Sequence, residues 1–257
     1  SRHEAQGRTI LNLGIGNPDL APDPKVTAAL IKAAGQAEAH QYQSYRCTPD
    51  LRQALSAWYK RCFRVELNYR DEVLPLIGSK EGIMHLSLAF LDPGDEVLIP
   101  DPGYPIYANA AVAAGGRPVS YNLTAQQGWL PDLTELEKLV SPATKMMWLN
   151  FPGNPTGAVA SKAELLALVA FARKHQILLC HDNPYALTLN EEPLSILNME
   201  GAMDVAVELN SLSKSHNMPG WRLGVLVGKA AYLDAVAKMK SYSDTGIFRP
   251  IQDAAII

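Results

Sequence analysis

The chain has 257 residues, of which 47% are hydrophobic and 19% are charged. This length and apolar fraction allow a sizeable buried core and exclude an intrinsically disordered protein. The formal net charge is −3, and Lys and Arg are scattered among acidic residues without forming a basic stripe. We therefore expect neither nucleic acid nor a membrane surface as a partner.

The cysteines and the hydropathy pattern indicate where the protein works. Cys47, Cys62 and Cys180 are odd in number, lie far apart and form no CxxC pair. Neither a zinc site nor a disulfide framework is expected, and the cytoplasm, a reducing compartment, is the expected location. No apolar run approaches the ~18 residues that a transmembrane helix needs.

Short runs rich in Val, Ile and Leu alternate with helical patterns after residue 40. The runs are apolar throughout rather than alternating, which is typical of strands covered on both faces. The predicted strands are Val73–Gly78, Glu96–Pro100, Pro118–Leu123, Lys145–Asn150, Ile177–Asp182, Val205–Leu212 and Gly224–Gly228. The predicted helices are Pro49–Phe63, Lys80–Phe90, Tyr104–Ala114, Ser161–His175 and Ala230–Lys240.

This alternation predicts an α/β fold with a mostly parallel seven-stranded sheet sandwiched by helices. The connection from Leu212 to Gly224 is too short for a crossover helix, so one of the last two strands is expected to run antiparallel. We interpret residues 1–40 as an N-terminal arm and 41–257 as one large domain. The helical pattern of Ile251–Ile257 has no stop signal, and we expect a further, small domain beyond it.

Glycines and turn residues follow several predicted strands, at the edge where such sheets bind ligands. Gly78-Ser79-Lys80-Glu81-Gly82 opens a helix, and the backbone N–H groups at a helix start can bind an anion. A plain turn accounts for this stretch equally well. Asn154-Pro155-Thr156-Gly157 follows another strand and also has the composition of a turn.

Two charged residues stand at the ends of apolar strands. Asp182 is one, and a carboxylate there is costly unless it meets a donor or a cation; capping a nearby loop is the alternative. Lys214 follows Ser211-Leu212-Ser213 at the end of another strand. Desolvated lysines are favoured nucleophiles toward carbonyl groups, although a solvated lysine is the simpler interpretation of this piece alone.

In this order the motifs resemble those of the class I aminotransferases, which are fold-type-I enzymes dependent on pyridoxal 5'-phosphate (PLP). The joint pattern of Asn154-Pro155-Thr156-Gly157, Ser211-Leu212-Ser213-Lys214 and Arg222 is highly specific. The stretches around Gly78 and Tyr104 are most similar to the branch of LL-diaminopimelate and alanine aminotransferases. The resemblance implies the large PLP-binding domain of this fold and amino-group transfer between an α-amino acid and a 2-oxo acid.

The resemblance implies three catalytic residues. Lys214 bonds covalently to PLP, and its freed amine then moves the proton at the substrate Cα. Asp182 pairs with the pyridine nitrogen and keeps it protonated. Tyr185, with Asn154, hydrogen-bonds the ring O3' and tunes the cofactor. Asn154 and Gly16 are also expected to border the substrate.

The remaining implied contacts hold the cofactor in place. The phosphate is expected on the backbone N–H groups of Ser79 and Lys80, with Ser211 and Arg222 closing on it. The Lys80 side chain need not reach the phosphate. Tyr104 matches the aromatic residue that stacks on the PLP ring. No residue is expected to bind a metal.

Tyr42 resembles a tyrosine that reaches the phosphate of the partner subunit in this family. The resemblance therefore implies a homodimer with two shared active sites. Cys47 stands where the family usually has Gly, which puts the turn there in doubt because Cys takes a positive φ less readily. His181, beside Asp182, is a candidate for an indirect contact with the site.

Two other functions remain open at this point. A PLP-dependent β-lyase or decarboxylase has the same fold, because fold and cofactor do not fix the reaction. A PLP-binding regulatory domain is the second, but it would need a DNA-binding module, and the sequence has no helix-turn-helix pattern.

Overall fold

The computed structural model describes residues 3–7, 9–10 and 16–257; the rest of the predicted arm lies outside the described residues. The strands are β1 Val73–Leu76, β2 Glu96–Asp101, β3 Arg117–Asn122, β4 Thr144–Asn150, β5 Leu178–Asp182, β6 Ala206–Ser211 and β7 Gly224–Gly228. The α-helices are α1 Pro24–Ala34, α2 Pro49–Phe63, α3 Ser79–Phe90, α4 Ile106–Ala113, α5 Leu133–Leu139, α6 Lys162–His175, α7 Leu212–Ser215, α8 Ala230–Ser241 and α9 Arg249–Ala255. Within this part of the chain, no helix is both long and apolar enough to cross a membrane.

The strands form one sheet in the order β1-β7-β6-β5-β4-β2-β3. β7 runs antiparallel to its neighbours β1 and β6, and the other pairs are parallel. The prediction that one of the last two strands is antiparallel is therefore confirmed, and the strand is β7. Only the one-turn helix α7 and a short turn separate β6 from β7, too little chain for a parallel crossover.

Helices cover both faces of the sheet, as predicted. Successive side chains in a strand point to opposite faces. In β4, Met147 and Leu149 join the cluster that contains α2 and α6, whereas Met146 and Trp148 join the cluster of α3, α4 and α8. Both faces are apolar, which explains the continuous hydrophobic runs. The edge strand β3 differs, because it leaves Arg117 and other residues exposed.

Two helix starts carry side-chain caps. Thr48 precedes α2, and its Oγ1 accepts a hydrogen bond from the Leu51 N–H at 3.3 Å. Ser161 and Glu164 form a reciprocal capping box at the start of α6. Each cap satisfies backbone N–H groups that the helix itself leaves unpaired, which fixes the residue at which the helix begins.

The first and last α-helices of the described chain pack against each other. α1 lies within the predicted arm and contacts α9. Asp23 caps α1 by accepting the Lys25 N–H at 2.8 Å. α1 was missed in the sequence, although Asp23 before Pro24 is typical of a helix start. Ala33 is the only residue of α1 that is buried. The helical character expected of the last residues is confirmed by α9, and the domain boundary at residue 40 stays a prediction.

A buried ion cluster joins α3 to α8. Lys240 of α8 is fully buried, and its Nζ lies 2.7 Å from both Glu81 Oε1 and Asp244 Oδ2. The other Glu81 oxygen accepts the Ile77 N–H. Glu81 belongs to the first turn of α3, so the cluster fixes the end of that helix that lies at the carboxyl edge of the sheet. Two carboxylates share one cation, and removing the cation leaves both without a counterion.

We predict that Lys240→Met lowers the free energy of unfolding by about 3 kcal/mol, because two largely buried carboxylates lose their counterion. The measurement is urea unfolding followed by circular dichroism. Lys238→Met is the matched control on the exposed side of the same helix, and its effect should stay within about 0.5 kcal/mol. Equal stabilities of the two variants would contradict the role given to the cluster.

Candidate active site

The carboxyl ends of neighbouring strands bring polar residues together at one edge of the sheet. Asn150, the last residue of β4, is in register with Asp182, the last residue of β5. Ser211 ends β6, and Gly78 follows β1. These strand ends surround a cavity of about 660 Å³, at the place where ligands bind in sheets of this kind.

The predicted site residues come together in this cavity, with one exception. Those that line it are Gly16, Ser79, Lys80, Tyr104, Asn154, Asp182, Tyr185, Ser211, Lys214 and Arg222. The exception is Tyr42, which is 90% exposed and lies in a separate surface groove with Thr245 and Phe248. The role of Tyr42 toward a partner subunit stays a prediction.

Asp182 has one paired and one unpaired oxygen. Its Oδ2 accepts a hydrogen bond from the Tyr107 hydroxyl at 2.8 Å. Its Oδ1 is buried and has no hydrogen-bond partner among the described residues. Burial raises the pKa of the carboxyl from 3.8 to about 6, and the Tyr107 hydrogen bond opposes this rise. The free oxygen therefore matches a ligand that offers a cationic N–H group.

Tyr107 was missed in the sequence, and its position is fixed by packing. Its ring stacks on Trp148 with centroids 4.9 Å apart and an angle of 13° between the rings. It also meets Tyr104 edge-on at 5.9 Å. Tyr107 follows Tyr104 by three residues, so the two rings lie on one side of the chain as it enters α4. That spacing was the available signal.

Asn150 was also missed, and it connects three parts of the site. Its Nδ2 donates to the Asp182 carbonyl at 2.7 Å, and its Oδ1 accepts the Asn154 N–H at 2.7 Å. Asn154 Nδ2 in turn donates to the Tyr185 hydroxyl at 3.4 Å. Asn150 therefore holds the turn that presents Asn154 and Tyr185 to the cavity.

Lys214 lies half-buried in the short helix α7, not in free solvent. Its Nζ donates to the Gly16 carbonyl and lies 5.9 Å from the centre of the Tyr185 ring. Burial lowers the pKa of the Lys214 amine, and no carboxylate offsets that effect. A larger share of this amine is neutral at a given pH than in a solvated lysine, which favours its action as a nucleophile or base.

An anion cradle forms where α3 begins. Gly78 has a φ of +74°, and a Cβ atom there would lie 2.2 Å from Nη2 of Arg222. Ser79 and Lys80 follow as the first residues of α3, so their N–H groups point out of the helix end. The Lys80 amine lies 5.5 Å from the centre of the Tyr104 ring, away from the helix end. Arg222 supplies the positive charge instead.

We predict that Gly78→Ala abolishes anion binding while the protein stays folded. The added Cβ displaces the flexible Arg222 guanidinium from the cradle. Gly94→Ala is the control, because Gly94 also has a positive φ, of +95°, but nothing lies within 4 Å of its Cβ position. Each substitution should cost about 1–3 kcal/mol of stability from the backbone alone, because both positions have a positive φ.

The measurement is the shift of the Ser79 and Lys80 amide NMR signals on addition of inorganic phosphate. The wild type and Gly94→Ala should respond, and Gly78→Ala should not. Equal phosphate binding by both variants would show that close packing of Arg222 on Gly78 is not required.

The described residues contain no group of three or more His, Cys, Asp or Glu side chains placed to hold a metal ion. Cys47 takes a φ of 59° and is buried, so the turn there has the left-handed conformation despite the Cβ. Burial raises the pKa of its thiol to about 11.

Comparison with known proteins identifies the family. The profile of the family "Aminotransferase class I and II" matches residues 8–255. An LL-diaminopimelate aminotransferase of Desulforudis audaxviator is 45% identical over 98% of this chain. The chain spans 65% of the length of that relative.

Solved structures agree with the sequence comparison. The substrate-bound structure of BacF from Bacillus subtilis superposes with a TM-score of 0.94 and 38% identity, over 99% of this chain and 65% of the other. An aspartate aminotransferase mutant of Thermus thermophilus has a TM-score of 0.93 and 30% identity, over 99% of this chain and 66% of the other. With its sheet topology and nearly its whole length matched, this chain belongs to the class I and II aminotransferase family.

Proposed function

We propose that the protein is a PLP-dependent aminotransferase that moves an amino group between an α-amino acid and a 2-oxo acid. One observation carries the proposal. A half-buried amine, Lys214, with a lowered pKa and a buried carboxylate, Asp182, with one unpaired oxygen line the same cavity. An amine nucleophile and an acceptor for a ring N–H are the two groups that PLP chemistry requires of a protein.

The chain's residues fit the parts of PLP. Asp182 Oδ1 suits the pyridine nitrogen, because it is an acceptor that no donor of the described residues reaches. Tyr104 offers an aromatic face, and the cradle of Ser79, Lys80, Ser211 and Arg222 suits the phosphate. Asn154 and Tyr185 offer hydrogen-bond donors for the ring oxygen. When bound, PLP supplies an electron sink for the negative charge that develops at the substrate Cα.

The protein's own contribution is to hold charges and to move one proton. Lys214 takes the proton from the substrate Cα, and its lowered pKa makes the neutral, basic form more available. Asp182 has to stay ionised to hold a protonated ring nitrogen. Above a pH of about 6, the pKa that burial gives it, this carboxylate is mostly ionised. Below that pH the site loses its anion, so activity should fall as the pH falls.

The identity of the substrates is part of this proposal, because the chain spans about 65% of the length of its curated relatives. The names of relatives 42–45% identical favour LL-diaminopimelate as the first amino donor to test. Gly16 and Asn154 line the cavity and are proposed to border the substrate. A cytoplasmic location is proposed because Cys47, Cys62 and Cys180 are all free thiols.

The test is a half-reaction. The PLP-loaded protein, given an amino donor and no oxo acid, should convert its cofactor to pyridoxamine 5'-phosphate and release one equivalent of 2-oxo acid. The panel contains LL-diaminopimelate, aspartate, alanine and an aromatic amino acid. Release of ammonia or carbon dioxide instead would establish a lyase or a decarboxylase and overturn the aminotransferase proposal.

Lys214→Ala is the matched variant for this assay. Borohydride reduction followed by mass spectrometry should show one PLP fixed to the wild type and none to the variant, because the covalent bond needs a primary amine. Lys80→Ala is the control, since Lys80 lines the same cavity and should leave the adduct in place. A reducible adduct in Lys214→Ala would mean that another lysine holds PLP.

We propose further that two chains form a homodimer in which Tyr42 of one chain completes the phosphate site of the other. Tyr42 is 90% exposed and outside its own chain's cavity, as such a role requires. An isologous dimer would place two shared sites about one twofold axis.

Mixing two variants, each with one altered group at the site, tests this arrangement. A mixture of Lys214→Ala and Tyr42→Phe chains gives mixed dimers. If Tyr42 acts across the interface, one site of each mixed dimer contains both substitutions and the other site contains neither. Tyr42→Phe should weaken PLP binding by about 1.5–3 kcal/mol, the value of a hydrogen bond to a charged group. Full PLP affinity should return in up to half of the mixed dimers' sites. No recovery on mixing, or a stable monomer with bound PLP, would overturn the proposal.

A further inference from the structure

A buried ion pair lies directly behind the cavity, outside its lining. His181 and Glu208 are neighbours in register on β5 and β6, and their side chains are 1% and 0% exposed. His181 Nδ1 lies 2.8 Å from Glu208 Oε2. The Tyr59 hydroxyl of α2 donates to Glu208 Oε1 at 3.0 Å, and the Ile196 N–H donates to Oε2 at 2.9 Å.

The partners of both His181 ring nitrogens are oxygen atoms. Its second nitrogen, Nε2, lies 3.1 Å from the Phe151 carbonyl oxygen, which can only accept a hydrogen bond. Glu208 in turn receives hydrogens from Tyr59 and Ile196. An imidazolium, with a hydrogen on each nitrogen, would donate to both partners at once and pair with the Glu208 carboxylate.

The His181 ring is connected to the site in two ways. Phe151 directly follows Asn150, so the hydrogen bond to its carbonyl holds the start of the turn that leads to Asn154. His181 also directly precedes Asp182, and their side chains point to opposite faces of β5. The ring thus stands behind the carboxylate, on the side away from the cavity.

We propose that His181 is a positioning residue: held by Glu208, its imidazolium fixes the Phe151 carbonyl and places a permanent positive charge behind Asp182. Its value for catalysis rests on the proposed function, but both effects belong to the chain before any ligand binds. The charge of His181 lowers the pKa of Asp182 and so opposes burial. The other groups that face Asp182 are Tyr107 from α4, Tyr185 beyond β5 and Lys214 from α7.

The first measurement uses the full chain without PLP. Nitrogen-15 NMR of the histidine rings should show His181 protonated on both nitrogens at neutral pH, with its signals assigned by their loss in His181→Gln. A neutral ring with one protonated nitrogen would overturn the proposal.

The second measurement follows Asp182 ionisation by carbon-13 NMR of its carboxyl group. Replacing His181 alone would leave Glu208 buried without a cation, so the informative variant is the double His181→Gln/Glu208→Gln, which removes both charges. Its Asp182 midpoint should rise by about one pH unit. Tyr59→Phe is the control, because it removes a hydrogen bond to Glu208 but leaves the imidazolium; its midpoint should not move. An unchanged midpoint in the double variant would overturn the proposal.

The third measurement adds PLP and follows its binding by equilibrium dialysis. Binding requires ionised Asp182, so a midpoint raised by one unit should weaken binding about tenfold at a pH below both midpoints. At a pH well above both Asp182 midpoints, the wild type and the double variant should bind PLP with affinities that agree within about twofold. Equal weakening at every pH would mean that His181 acts on structure alone. Failure of the wild type to bind PLP would overturn the proposed function, and the two NMR measurements would still decide the role of His181.

Discussion

The structure depends on keeping one carboxylate ionised in the interior of a protein. Asp182 ends a buried strand, and burial alone favours its protonated form. Tyr107 donates to one oxygen, and the charge of His181 acts from behind. The Asn150 side-chain amide donates to the Asp182 backbone carbonyl. This carbonyl therefore does not compete with the Asp182 carboxylate for hydrogen-bond donors. The second carboxylate oxygen remains free for a ligand, and this leaves Asp182 both ionisable and available.

The partners of Asp182 come from rigid elements on both sides of the sheet. Tyr107 stands on a helix of one face and is wedged against Trp148. Tyr59 stands on α2 of the opposite face. It donates to Glu208 of β6, which is paired with His181 of β5, the residue before Asp182. This network anchors Asp182 in the packed core, and Asn150 links it to the turn that carries Asn154. The anion cradle is fixed separately, because Glu81 and Lys240 hold the beginning of α3.

Much of this arrangement followed from the sequence, for physical reasons. Buried parallel strands appear as uninterrupted apolar runs, so the ends of β4, β5 and β6 could be located, and with them Asp182 and Lys214. Tyr107 and Asn150 could not be found in the same way. Their importance arises from the docking of α4 on the sheet and from the register of β4 with β5. The spacing from Tyr104 places Tyr107 on the same side of the chain, but it does not show that Tyr107 reaches Asp182. α1 was missed although Asp23 before Pro24 is a start signal, because the segment was interpreted as an arm outside the domain.

The placement of β1 has a consequence for how the chain folds during synthesis. Among the strands of the described residues, β1 is made first, yet its partner in the sheet is β7, with Val73 opposite Val227. The strands between them can pair with near neighbours as they emerge, whereas β1 has to wait for β7 and α1 has to wait for α9. Contacts this distant in sequence close slowly. The cradle at Gly78 and Arg222 joins the same two distant segments, so the anion site can form only after the segment around Arg222 has been synthesised and has docked on β1.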